Sequence, residues 1–300
     1  MVPLTYSNLS AHCTILQPRL ARLNDSYCYH YDCCTAELTQ GTLVEPRYQG
    51  EANAHGANLY ADQMRTMING WRSGWVGAPA PLRNFTFILH QLSAYSNDKK
   101  ACALGPSPPP AIRDPAIPAL RWSQQGSVAP WTGADGQDLP RVAMTVGIDL
   151  SDPGSPCGCV HIRNKTAVGE RMALAARALA YGENIHYTGP VASAITIAGS
   201  QLVISFSGAA LPLSFRSIAQ TTLHDQQGVE VLLANDTWSH VPAKVSASSP
   251  EIIAELPPMV VKAVRYAWDD IPATQLLYDS VRGHGLSGLP APPFWCAQHS

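Results

Sequence analysis

The chain has 300 residues, 46% of them hydrophobic and 14% charged, with a formal net charge of −2. That length suits one large domain or two modest ones and is enough to bury a real core. The near-neutral charge offers no electrostatic basis for binding nucleic acid or an anionic membrane surface, and no stretch has the length and apolarity of a membrane span.

Residues 1–47 show no sustained helical or strand period. Leu43-Val44 reads as the remnant of a strand, cut short by Glu45-Pro46-Arg47, because proline donates nothing to a central ladder and arginine would lie unpaired in a core. Tyr48-Gln-Gly-Glu-Ala-Asn53 follows, with the layout of a site loop at a strand end. Gly50 lets the backbone turn sharply. Gln49 offers an amide donor to a developing oxyanion, and Glu51 can orient a histidine or a sugar hydroxyl. From residue 58 to 75, Leu59, Met64, Met67, Ile68 and Trp71 recur at helical spacing, with Asn58 as a candidate N-cap.

Phe85–Leu89 is a β-rich run of the buried kind. The proline-rich stretch 105–118 predicts an extended surface loop, and a short helix follows over 117–125. Arg141–Leu150 predicts a second buried strand, ending at Asp149-Leu-Ser-Asp152. Asn164–Tyr181 gives the clearest helix, with Val168, Met172, Ala175, Ala176 and Leu179 on one face and Gly182 as its stop. Strand, loop and helix thus alternate from 43 to 182, which predicts an α/β layer with a parallel sheet. After Pro190 the chain reads as short strands at 194–197, 202–206, 229–233 and 260–268. The division expected is 1–47 unmatched, 48–188 α/β, and 189–300 a β-rich module.

Eight cysteines are present, and Cys28, His30, Cys33 and Cys34 fit no zinc-site spacing. Five sequons, at Asn8, Asn24, Asn84, Asn164 and Asn235, favour a secretory or lysosomal setting. The N-terminus Met-Val-Pro-Leu-Thr-Tyr-Ser has neither the basic nor the apolar region of a signal peptide, so the true start of such a protein is expected to lie elsewhere.

Several of these pieces together carry a resemblance. Tyr48–Asn53 is followed by Leu59-Tyr60 through Asn69-Gly-Trp-Arg72, Ile88–Ser93, Arg121-Trp-Ser-Gln124, Ala143–Asp149, Ser155–Lys165, Arg171–Gly182, Val264–Trp268 and Leu289–Phe294. In order and spacing they resemble the sialate O-acetylesterase family, of the SGNH hydrolase type, over residues 48–295. The resemblance implies a partial SGNH-like parallel sheet with flanking helices, followed by a small β-rich C-terminal module. It implies a serine carboxylesterase that removes O-acetyl groups from sialic acids or related glycans, with no metal or organic cofactor and no nucleic-acid or membrane partner.

His161 takes the place of the family's catalytic base, and Gln49 and Gly50 that of its oxyanion and substrate contacts, with Glu51 beside them. Asp152 is the first choice for the acid, with Asp149 and Glu51 as alternatives, since Cys159 stands where several relatives have aspartate. Ile162 stands where the family generally has proline, which bears on the rigidity of that loop. Asn53 and Arg72 are expected to be structural. The family's Gly-Gln-Ser-Asn turn has no counterpart here, and Ser93 and Ser151 lie at strand ends where the family places no nucleophile. The chain is therefore expected to be a truncated esterase, inactive alone; the alternative is a non-catalytic secreted remnant that binds glycans or a partner.

Overall fold

A computed structural model describes residues 36–38, 42–74, 85–95, 116–126, 139–152, 154–156, 159–217, 228–271, 275–281 and 288–297. Its first layer is a four-stranded sheet of β1 (Ala36–Leu38), β2 (Thr42–Tyr48), β3 (Thr86–His90) and β4 (Val142–Thr145), in that order. β1 is antiparallel to β2, whereas β2, β3 and β4 run parallel, with Tyr48 beside His90 and His90 beside Thr145. The three parallel strands therefore end on one edge.

Alternation along these strands feeds two cores, one on each face. Phe87, Leu89 and Met144 join Tyr60, Met64 and Ile68 of α1 (Ala57–Gly74) and Ile117 and Leu120 of α2 (Ala116–Gly126). Val44, Ile88 and Ala143 join Val168, Met172 and Ala175 of α3 (Lys165–Tyr181). The third helix has the ends its sequence predicts. The Asn164 side chain accepts from the Ala167 amide at 3.2 Å, and Gly182 closes the helix in the left-handed region.

Two expectations need correction. β2 runs unbroken through Glu45-Pro46-Arg47. β1 reaches only as far as Val44, so among the described residues the outer edge of β2 has no strand beyond that point, and a proline there forfeits no ladder bond. The site turn then continues as a 3-10 turn, Glu51–Gly56, straight into α1, so Asn58 lies inside the helix rather than capping it. The cysteine cluster 28–34 and the proline-rich stretch up to 115 fall outside the described residues. Pro118 sits in the first turn of α2, where its missing N–H costs nothing.

The remaining strands are β5 (Val191–Ala198), β6 (Gln201–Ser207), β7 (Ser214–Arg216), β8 (Val229–Leu233), β9 (Trp238–His240), β10 (Ala243–Val245), β11 (Glu251–Glu255), β12 (Val261–Tyr266), β13 (Leu276–Tyr278) and β14 (Phe294–Ala297). They form antiparallel sheets ordered β10-β11-β6-β5 and β14-β12-β8-β9, with β13-β7 as a pair. The α/β layer with an appended β-rich region is the architecture the sequence predicts. The apolar core of the first layer runs on into Leu202, Ile204, Val231, Tyr266 and Phe294 of the β-rich region.

Candidate active site

The turn after β2 is built around Gly50, whose φ of 151° suits glycine. A Cβ there would stand 3.1 Å from the Gln124 amide nitrogen and 3.4 Å from Leu120 and Leu92. Gln124 explains the close fit. Its amide donates to the Gln49 carbonyl at 3.0 Å and accepts from the Leu92 amide at 2.9 Å, tying β2's end to β3's. The Gln49 side chain is held as well: it donates to Asn53 at 2.7 Å and accepts from the Tyr60 hydroxyl at 3.2 Å. Burial pushes the Tyr60 hydroxyl up to about 12, so it stays a donor.

On the same edge the Tyr48 hydroxyl donates to Ser93 Oγ at 3.1 Å, and the Lys165 ammonium lies 4.6 Å from the centre of the Tyr48 ring. Glu51 is largely buried. Desolvation pushes its carboxyl up, while hydrogen bonds from the Glu51 and Gly50 backbone and the charges of Lys165 and His161 pull it down. Burial is the largest influence on Glu51, and the charges of Lys165 and His161 offset part of it.

His161 is exposed on the loop between β4 and α3, and that loop is pinned around it. Ser155 donates to the His161 carbonyl at 2.6 Å. Asp152 accepts from the Arg163 amide at 2.9 Å and from its guanidinium through both carboxylate oxygens at 2.7 Å. Ile162, between them, is only 2% exposed and packs into the core under α3. Burying such a side chain contributes about 1.5–3 kcal/mol, so the residue standing in place of the family's proline anchors the loop by packing. Cys159 is disulfide-bonded.

Beneath the edge, His90 is fully buried, and desolvation lowers its imidazole to about 3, so it is neutral. It shares a 2.7 Å hydrogen bond with Thr145 and packs edge-on to Tyr48. Gly147 is required beside it, because a Cβ would come within 2.5 Å of His90 Nε2.

No family model matches the chain. It is 32% identical over 257 residues to the sialate O-acetylesterase of Mus musculus, covering 82% of this chain. It is 31% identical over 262 residues to that of Homo sapiens. A solved structure titled as XAC1771, a novel carbohydrate acetylesterase from Xanthomonas citri, matches at a TM-score of 0.62 and 27% identity, over 85% of this chain and 50% of that one. The chain belongs to the sialate O-acetylesterase family. It spans 43% of the length of the Mus musculus relative and 44% of the Homo sapiens one.

In family terms, the parallel strands bring the Gln49–Glu51 turn and the His161 loop to one edge. The two carboxylates offered from the His161 side are both committed elsewhere. Asp152 holds Arg163, and Asp149 holds Arg171 at 2.6 and 2.7 Å and accepts from Tyr278 at 2.9 Å. The Gly50 backbone serves Glu51, and one Gln49 N–H serves Asn53, so the expected oxyanion donors are engaged within their own turn. Arg72 is structural as expected, donating to the Phe85 and Pro140 carbonyls at 2.8 Å. Sequence reasoning missed Tyr60, Gln124 and Lys165 as builders of the site. All three lay inside stretches carrying the resemblance, but nothing in their spacing says what they touch.

Proposed function

We propose that this chain carries the base and substrate-holding side of a carbohydrate O-acetylesterase site, with O-acetylated sialic acids or related sugars as the ligand class. The observation that supports this is the meeting of the Gln49–Glu51 turn and the His161 loop on one strand edge, where Glu51 feels the charges of Lys165 and His161. In this reading His161 is the general base and Glu51 is the carboxylate that balances the imidazolium. Asp152 acts on His161 through the loop, by holding Arg163. Gln49 and Gly50 become oxyanion donors when substrate displaces their present partners.

In this reading the chain does not supply the attacking hydroxyl. No Gly-x-Ser-x-Gly elbow is present, and Ser93 is 1% exposed with its oxygen on Tyr48. That burial also favours the second reading, a glycan-binding chain without turnover. The sequons support a secretory or lysosomal route in either reading. Asn164 and Asn235 are exposed and available.

The test uses O-acetylated N-acetylneuraminic acid and the chain as it stands. Acetate release is expected to be no faster than with heat-denatured protein, while the sugar shifts the His161 ring resonances. Turnover that a serine-directed phosphonate abolishes would refute the missing nucleophile. An imidazole indifferent to the sugar would refute the site.

A further inference from the structure

Two indoles stand where the β-rich region meets the strand edge. Trp122 of α2 and Trp268, just after β12, pack edge to face with ring centres 5.9 Å apart, and both are partly exposed. Among the described residues neither indole nitrogen has a hydrogen-bond partner.

Their placement is built. Ala267 takes a φ of 50°, a left-handed conformation that a side chain disfavours, and its amide is held by the Gly228 carbonyl at 2.7 Å. That kink ends β12 and delivers Trp268-Asp269-Asp270 to α2. There the fully buried Arg121 donates to the Asp269 and Asp270 carbonyls at 2.7 Å. It donates equally to the carbonyls of Leu92 and Ser93, at 3.0 and 2.9 Å, at the end of β3. Desolvation lowers Arg121 to about 10, so it remains a cation at neutral pH. One side chain therefore fixes the Trp268 loop against the Ser93 segment. Ser93 in turn meets Tyr48, and Tyr48 meets Lys165.

The geometry points to the Trp122–Trp268 pair as the wall of the site that holds the sugar ring, contributed jointly by the α/β layer and the β-rich region. This rests on the ligand class proposed above and names the residues that grip it. An indole presents a flat apolar face to the C–H groups of a pyranose, and its N–H is a free donor for a hydroxyl. Strained backbone and a buried cation are costly ways to hold a loop unless its position matters. Through Arg121, Ser93 and Tyr48 the pair is tied to the strand edge that also carries Lys165, and the proposal seats the sugar ring on that edge.

The probe is N-acetylneuraminic acid, which carries no ester to be cleaved. It is titrated by saturation-transfer NMR against the whole chain and its Trp268→Ala, Trp268→Phe, Trp122→Phe and Trp238→Phe variants. Saturation is expected to pass from indole to sugar-ring protons. Trp268→Ala should weaken binding about tenfold or more, the loss of one good contact, while Trp268→Phe restores most of it. Trp238 lies on β9, the outermost strand of β12's sheet, and stacks on Arg265 rather than on the pair, so Trp238→Phe should leave binding unchanged. Trp268→Phe keeps a flat ring in place should the alanine variant fail to fold. Undiminished binding in folded Trp268→Ala and in Trp122→Phe would overturn the wall and leave the esterase reading standing. A wild-type chain that ignores the sugar would overturn that reading itself.

Discussion

Asp149–Arg171 and Asp152–Arg163 are the same chemical pair, drawn from one loop and the helix that follows it, yet they do different work. The Asp149 and Arg171 side chains are 8% and 5% exposed. Both terminal guanidinium nitrogens of Arg171 donate to the carboxylate, and the Tyr278 hydroxyl of β13 donates to it as well. Arg163, by contrast, is 62% exposed, and its pair reaches only across its own loop. The inner pair joins sheet, helix and β-rich region. The outer one sets the path of the backbone on either side of His161. Depth, not residue identity, decides whether an Asp–Arg pair is a keystone or a clip.

Breaking the inner pair should have the largest effect. Arg171→Met strands a buried carboxylate and should cost about 3–5 kcal/mol, read by chemical denaturation. The double variant Asp149→Leu/Arg171→Met should recover a large part of that loss; a double variant no better than the single would mean that the pair is not what makes the site costly to disturb.

Next comes Tyr278→Phe, which removes one hydrogen bond to a charged acceptor, worth about 1.5–3 kcal/mol. The Asp149 carboxylate and burial both push the Tyr278 hydroxyl up, so it is a donor at every working pH. Unchanged stability on this substitution would show that β13 does not depend on the pair.

The pH dependence separates the pairs further. Asp149 is held below the usual carboxylate range, mainly by Arg171 against desolvation, and Asp152 by its hydrogen bonds with Arg163. Both contributions are present above the unfolded value, about 4, and fade as pH falls through the lower folded values. Glu51 and Asp279 run the other way, since burial raises them and their ionisation opposes folding as pH rises. Melts should therefore weaken below about pH 4, and Asp149→Asn should flatten that acid limb more than Asp152→Asn does.

The smallest thermodynamic effect is expected for Asp152→Asn, with little change in melting temperature because its partner is exposed. Its signature is local. The His161 ring signals should broaden or split as the loop loses one of its fastenings, while those of His90 stay put. Equal changes at both histidines would erase the distinction between clip and keystone.

Much of the layer was legible because its signals are local. The Gly182 stop, the apolar face of α3 and the run Phe85–Leu89 each specify their own element. Pro46 misled, because a proline forbids a strand only where a neighbour needs its N–H, and whether a neighbour reaches that far is not written in nearby residues. Asp152 shows a different limit. Its position next to the histidine loop is right, but its partner is chosen by the folded loop, 11 residues on. Gln124 and Arg121 act across separations of 75 and 148 residues, beyond any spacing rule.

Arg121 also has a consequence for synthesis. Among the described residues its hydrogen bonds go to four carbonyl oxygens, two from residues 28 and 29 positions earlier and two from residues 148 and 149 positions later. At about 5–20 residues per second, a ribosome needs roughly 7–30 s to make up that gap. Throughout it α2 carries a charge it cannot bury, which leaves the nascent α/β layer ajar and within reach of chaperones until Asp269 and Asp270 emerge.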